Sequence, residues 1–264
     1  MMRTVNVHLE LDLRGRTNMV FSITPAVGAT IASEKLEFLL DGVAQPWREI
    51  SDLHDARLQV FETNRGTLSV DYDVEIVGRA EPARTSELDL ITYLRPSRYA
   101  QSDSLTPIAR SEFRGLTGYV LVQAVTDWVF DHLAYVPGSS QPTDGATRTL
   151  TSRQGVCRDF AHVTIALLRA MEIPARMVSV YAPGLTPMDF HAVTEAYVDG
   201  AWWVVDSSRL APRTTLLRIA TGRDAADTAW LTSNWTDLAV TSMAVTVTAD
   251  ELPFDDGYER VQLG

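Results

Sequence analysis

The spacing of the apolar residues first changes from alternating to helical in the middle of the chain, and this change limits the fold more than any other feature. Between Thr67 and Val77 every second residue is apolar, which is typical of a strand with one buried face. Similar runs occupy residues 4–11, 18–23, 35–40 and 58–62, separated by turn-prone pairs such as Asp41-Gly42. From Gly118 to Leu133 the apolar residues instead recur every three or four positions, which predicts a helix.

This change in spacing predicts an α+β chain with two parts. A length of 264 residues is comfortable for two domains. We expect a small antiparallel β-sandwich domain over residues 1–85, a linker over 86–106 and an α+β core over 107–264. Within the core we expect a second helix over 156–171, a loop over 139–149 and strands over 176–182, 191–198 and 201–206. A helix near 224–232 and a strand over 239–248 complete the prediction.

Composition excludes several classes of partner. The net charge of −11 and the pI near 4.9 argue against binding to nucleic acid or to an anionic membrane surface. A single cysteine cannot form an intrachain disulfide. The amino-terminal residues show no apolar signal core, and no run of about 18 apolar residues predicts a membrane helix. We therefore expect a cytoplasmic protein that keeps its thiol reduced.

The single cysteine, Cys157, falls in the first turn of the second predicted helix, just after Gly155. Its helical face is apolar, whereas Arg158, His162 and Arg169 fall on the opposite face. Unpaired N–H groups at a helix start stabilise a thiolate and can donate to an oxyanion. Gly155 would let the chain turn sharply and let a substrate approach the backbone. The alternative is that Cys157 is simply a small buried apolar residue.

A tight hairpin brings a histidine and an aspartate together. Two alternating runs meet at Asp199-Gly200, a pair that favours a two-residue type I′ turn. With that turn, His191 and Asp206 become diagonal neighbours on one face, about 7–8 Å apart along the backbone. Asp206 could then orient the imidazole, although Glu195 lies on the same face and could compete for the role. The alternative is a solvated histidine and aspartate at the strand ends.

Four motifs, in order, resemble the bacterial transglutaminase-like superfamily, of the cysteine protease type with an N-terminal β domain. They are Gly155-Val156-Cys157-Arg158-Asp159-Phe160-Ala161-His162, Ile173-Pro174-Ala175-Arg176, Asp189-Phe190-His191-Ala192 and Gly200-Ala201-Trp202-Trp203-Val204-Val205-Asp206. The resemblance implies a papain-like core in which a cysteine helix packs on an antiparallel sheet. It also implies catalysis by Cys157, His191 and Asp206 through a thioester, without metal or cofactor. We expect hydrolysis of a peptide, protein or other amide substrate, with amine transfer as the alternative.

Three further residues are candidates for substrate binding. Tyr135 and Gln154 could donate to the oxyanion beside the Cys157 N–H, although either could be structural. Trp202 lies on the predicted face of His191 and Asp206 and could contact substrate, although packing is the more common fate of tryptophan.

Two other interpretations remain open at this point. Cys157, His162 and His191 could form a metal site, but they lack the paired ligand spacing of zinc sites. The chain could also be a binding module that keeps the triad behind a blocked cleft, with an unreactive thiol. The sequence does not fix the oligomeric state.

Overall fold

The alternating runs of the first third form long strands, and the later periodic segments form helices, as the sequence predicts. The computed structural model describes residues 1–264. The strands β1 to β15 are Met2–Leu13, Thr17–Phe21, Thr30–Leu40, Val43–Ala44, Arg48–Ser51, Arg57–Thr63, Gly66–Val77, Ala134–Tyr135, Gln154–Gly155, Ala175–Tyr181, His191–Val198, Ala201–Val205, Leu217–Gly222, Leu231–Asn234 and Leu238–Ala249. The helices α1 to α6 are Glu87–Thr92, Ser102–Glu112, Gly118–His132, Ala146–Ser152, Cys157–Ala170 and Ala225–Thr228.

Two antiparallel sheets form a β sandwich. One sheet has the strand order β15-β1-β7-β3-β4 and the other has the order β14-β2-β6-β5. The alternating apolar residues of β1 and β7 point between the sheets, where Leu9, Leu68 and Tyr72 have no exposed surface. Burial of this face on both sheets stabilises the sandwich and fixes the strand register.

The sandwich is not built from the first third of the chain alone. Strand β15 pairs with β1 along its whole length, and β14 pairs with β2. The prediction that residues 107–264 form only the core is therefore wrong for residues 231–249, which complete the sandwich. The alternating pattern of β15 predicts a strand but not its partner, because strand pairing over more than 200 residues leaves no local signal. The boundaries at 85 and 106 stay predictions.

The second part of the fold is a four-stranded antiparallel sheet, β12-β11-β10-β13, with α5 packed on β10 and β11. Apolar residues of α3, α5, β10 and β11 share one core of 25 buried residues. The fold is thus α+β, with a cysteine-bearing helix on an antiparallel sheet after a β sandwich.

Helix α5 is buried on every side, which the sequence pattern does not show. His162 and Arg169, predicted on the outer face, are 0% and 4% exposed. The Tyr99 ring stacks on His162 at that face, and helices α2 and α4 also pack on α5. The Arg169 guanidinium donates to the backbone carbonyls of Ala175, Arg95 and Arg223, which compensates for its burial.

Two predicted irregular segments contain helices. Helix α1, capped by the Ser86 side chain, lies within the predicted linker. Helix α2 begins in the linker and extends beyond it. The predicted loop over 139–149 runs into α4 from residue 146. The predicted helix near 224–232 shortens to the four residues of α6, because residues from Leu231 join the sandwich. None of the helices combines the length and the hydropathy needed to cross a bilayer.

Candidate active site

Cys157 is the first residue of α5. The Asp159 carboxylate accepts a hydrogen bond from the Val156 N–H at 2.9 Å and so caps the helix start. A Cβ atom at Gly155 would lie 2.6 Å from the Asp159 Cβ, so only glycine fits there. Gly155 is therefore required by the packing of the helix cap, and not by a positive φ angle. The Cys157 side chain is half-buried rather than sealed in the core.

The hairpin has the register that the two-residue turn predicts. Asp199 and Gly200 have φ angles of 54° and 83°, the left-handed pair that a type I′ turn requires. Val198 pairs with Ala201, and the pairing continues in register along β11 and β12. Asp206 follows β12 directly and reaches the first residue of β11.

His191 and Asp206 form a buried pair. The His191 Nε2 atom lies 2.8 Å from the Asp206 Oδ2 atom, with side chains 0% and 4% exposed. Asp206 Oδ1 accepts two further hydrogen bonds, from the Ser208 backbone N–H at 2.8 Å and from the Ser208 hydroxyl at 2.6 Å. The three hydrogen bonds hold the carboxylate in one orientation. The other ring nitrogen of His191, Nδ1, is buried and has no hydrogen-bond partner.

The pair favours the charged state of both groups. Burial by itself lowers the pKa of His191, but the charge and hydrogen bond of Asp206, followed by the Cys157 thiol, raise it to about 10. Burial likewise raises the pKa of Asp206, and the His191 cation and the Ser208 hydrogen bonds outweigh it, so that the pKa falls below its usual value. The Asp206 carboxylate and the nearby thiol therefore favour the protonated form of His191.

Glu195, the competing carboxylate, is used elsewhere. Its side chain is 1% exposed and forms ion pairs with Arg176 and Arg218 at 2.8 and 2.6 Å. Although burial raises the pKa of Glu195, the two guanidinium groups bring it down to about 2. Glu195 is thus a structural anion, and Asp206 alone faces His191.

Tyr135 and Gln154 lie on the short strands β8 and β9, which pair in parallel just before α5. Burial and the nearby Cys157 thiol raise the pKa of Tyr135 to about 12, so its hydroxyl stays protonated and can donate a hydrogen bond. Neither Tyr135 nor the exposed Gln154 side chain lines the cavity that contains Cys157.

The position of Trp202 argues against its predicted contact with substrate. Trp202 is 2% exposed and does not line the cavity that contains Cys157. The Arg176 guanidinium lies 4.0 Å from its ring centre, and the Tyr93 and Tyr197 rings pack against it. The indole therefore covers the buried Glu195 ion pairs.

The metal interpretation finds no support in the arrangement of side chains. No group of three His, Cys, Asp or Glu residues converges on a point that could hold a metal ion. His162 is fully buried behind Cys157, where its Nε2 accepts from the Ala225 N–H and its ring stacks on Tyr99. Burial lowers the pKa of His162 to about 3, so it stays neutral.

Sequence reasoning missed the residues that hold the site in place. Ser208 orients Asp206, and Asp159 caps the cysteine helix. The Asp206-Ser207-Ser208 run carries a local signal, because aspartate commonly accepts from the backbone N–H two residues later. The cavity walls contributed by Trp230, which precedes β14, and by Met243 of β15 carry no such signal.

A family model and a solved structure carry the family assignment. The sequence model of the transglutaminase-like superfamily matches residues 114–207, which include Cys157, His191 and Asp206. The crystal structure of a protein from Cytophaga hutchinsonii, described as a putative cysteine protease, is 32% identical and has a TM-score of 0.87. That match covers 97% of this chain and 92% of the other.

An uncharacterized protein of Mycobacterium leprae (strain TN) is 33% identical over 135 residues, 48% of each protein. The chain thus matches about half the length of that relative. The similarity to the Cytophaga hutchinsonii protein, by contrast, extends over nearly the whole of both chains. The family model and the Cytophaga hutchinsonii structure support a thiol-dependent enzyme in general. The chain belongs to the transglutaminase-like superfamily.

Proposed function

We propose that this protein is a thiol hydrolase that cleaves amide bonds through Cys157, His191 and Asp206. The observation that carries the proposal is the buried hydrogen bond of 2.8 Å between His191 Nε2 and Asp206 Oδ2. That bond uses one ring nitrogen of His191 and leaves Nδ1 for the thiol. A catalytic triad requires this arrangement, in which Asp206 orients the base His191 and His191 activates the nucleophile Cys157.

The reaction has two halves. The Cys157 sulfur attacks the carbonyl carbon of the amide, and His191 carries the thiol proton. The C–N bond then breaks as His191 donates that proton to the leaving amine. In the second half His191 accepts a proton from water, whose oxygen attacks the thioester carbon. The products are a carboxylic acid and the free thiol.

The oxyanion of each tetrahedral intermediate needs donors near the start of α5. The backbone N–H of Cys157 has no intrahelical acceptor, because it lies in the first turn of the helix. The protonated Tyr135 hydroxyl is the second donor that we propose, since it lies close enough to Cys157 for the two groups to affect each other. Removing one such donor costs about 10²–10³ in kcat in other acyl-transfer enzymes.

The test is the cleavage of a peptide-amide library, analysed by mass spectrometry. We expect new carboxyl and amine ends with the wild-type protein and none with Cys157→Ala. A fluorescent primary amine in a parallel reaction measures transfer. Products that carry the added amine would show a transferase instead of a hydrolase. The absence of any product, with a thiol that resists alkylation, would contradict an enzymatic function and favour a binding module.

A further inference from the structure

A cavity of about 570 Å³ extends from Cys157 across the antiparallel sheet. Its floor follows three neighbouring strands, from Ala192 on β11 to Ser179 on β10 and on to Ile219 on β13. Ser179 pairs directly with Ala192, the residue that follows His191. The floor therefore begins beside the reacting groups and leads away from them.

The far walls come from the sandwich. Trp230, Leu231 and Met243 all line the cavity. The Trp230 ring stacks on Phe190, the residue before His191, with ring centres 5.3 Å apart. The strands that close the sandwich thus also close the cavity, which gives the β domain a direct part in the site.

The lining is mostly apolar, and its charged groups other than His191 are already engaged or exposed. Of the 20 lining residues 13 are hydrophobic, so a charged ligand group would find few partners along the floor. The Nη2 atom of Arg158 donates to the Ser140 hydroxyl and to the Gln141 carbonyl, whereas its Nε is buried without a partner. Asp189 is exposed and accepts from the Phe190 N–H.

Besides His191 Nδ1, one polar group in the floor has no partner in the protein. Ser179 is 8% exposed, and its hydroxyl forms no hydrogen bond. Buried hydroxyl groups are rarely left unpaired. A hydroxyl that lines a cavity can instead form its hydrogen bond with a bound molecule.

We propose that this cavity binds a bulky, uncharged side chain of the substrate, aromatic or long aliphatic, next to the amide bond that Cys157 attacks. Ser179 Oγ forms a hydrogen bond with the bound substrate. The inference rests on the proposed function, since it treats Cys157 as the nucleophile. It adds the class of substrate: polypeptides with a large apolar residue beside the bond that is cleaved.

The experiment uses alkylating probes, so it does not depend on hydrolysis. N-iodoacetyl amides of phenylalanine, leucine, glycine, aspartate and lysine all carry the same reactive carbon. We expect the phenylalanine and leucine probes to alkylate Cys157 at least about tenfold faster than the glycine probe, because an apolar side chain gains from burial in the cavity. The aspartate and lysine probes should alkylate Cys157 no faster than the glycine probe. Equal rates for all five probes would overturn the proposal.

Two variants of one strand provide the matched comparison. Met243 and Val240 are each 43% exposed on β15, but only Met243 lines the cavity. Met243→Glu should reduce the advantage of the phenylalanine probe at least threefold and raise the rate of the lysine probe. Val240→Glu should change neither. Equal effects of the two substitutions would contradict the proposed cavity.

This experiment and the library experiment fail in different ways. Probe selectivity without any cleavage of amides would sustain the cavity and contradict the proposed function. Cleavage of amides without a preference for apolar residues would sustain the function and contradict the cavity. If wild-type Cys157 did not react even with iodoacetamide, both the proposed function and the proposed cavity would be contradicted.

Discussion

Replacement of Asp206 by asparagine should remove a pH-dependent part of the stability. The pair is fully buried, so solvent does not screen it. The amide oxygen of asparagine can still accept from Ser208, as Asp206 Oδ1 does now, which limits the change largely to the charge. Without that charge His191 loses the main cause of its raised pKa, and burial lowers it instead.

The magnitude follows from the pKa of His191. The folded protein holds the His191 proton up to about pH 10, whereas the unfolded chain releases it near 6.5. The stabilisation is therefore complete below pH 6.5 and is lost as the pH rises to about 10. Each pKa unit corresponds to about 1.36 kcal/mol, so a rise in pKa from 6.5 to about 10 corresponds to on the order of 5 kcal/mol.

Urea unfolding of both proteins at several pH values between 6.5 and 10 measures this difference. We expect the Asp206→Asn variant to be less stable by several kcal/mol near pH 6.5 and to approach the wild type near pH 10. Asp250→Asn, at an exposed position directly after β15, is the control and should show a constant difference over this range. Parallel curves for Asp206→Asn and the wild type would refute the reasoning.

Three further substitutions separate structure from chemistry. Glu195→Gln leaves the buried Arg176 without its anion, so the free energy of unfolding in urea should fall by about 3–5 kcal/mol. Alkylation of the thiol should not slow. A loss of stability below about 1 kcal/mol would argue against a stabilising role for the Glu195 ion pairs. Ser208→Ala removes one of the three hydrogen bonds to Asp206 and should lower kcat/KM about five- to tenfold, near 1 kcal/mol. Unchanged kinetics would show that the Ser208 backbone N–H suffices. Tyr135→Phe should lower kcat by about 10²–10³ with little change in KM if its hydroxyl stabilises the oxyanion, and an unchanged kcat would assign Tyr135 to packing.

The central part of the site could be predicted because its determinants are local. The Asp199-Gly200 turn fixes the hairpin register, and the register fixes the distance between His191 and Asp206. Helical spacing likewise placed Cys157 at the start of a helix, within one residue of the observed start. Each step depends on neighbours within about 20 residues, which is the range over which sequence patterns are informative.

The rest depends on packing between distant parts of the chain. The pairing of β15 with β1, and with it the position of Met243 in the cavity, follows from a sandwich that only the whole chain completes. Trp202 illustrates the same limit. Its strand face was predicted, but the burial of its ring over Arg176 depends on where that side chain lies.

The most direct test of the account is the rate of iodoacetamide alkylation of Cys157 between pH 5 and 9, in the wild type and in His191→Ala. A free thiol with a pKa of about 8.5 is ionised to only about 0.3% at pH 6, and so reacts slowly there. The account predicts fast alkylation of the wild type at pH 6, slowed by one to two orders of magnitude in His191→Ala. Identical profiles for the two proteins, or a wild-type thiol that reacts only after denaturation, would contradict the pairing of Cys157 with His191.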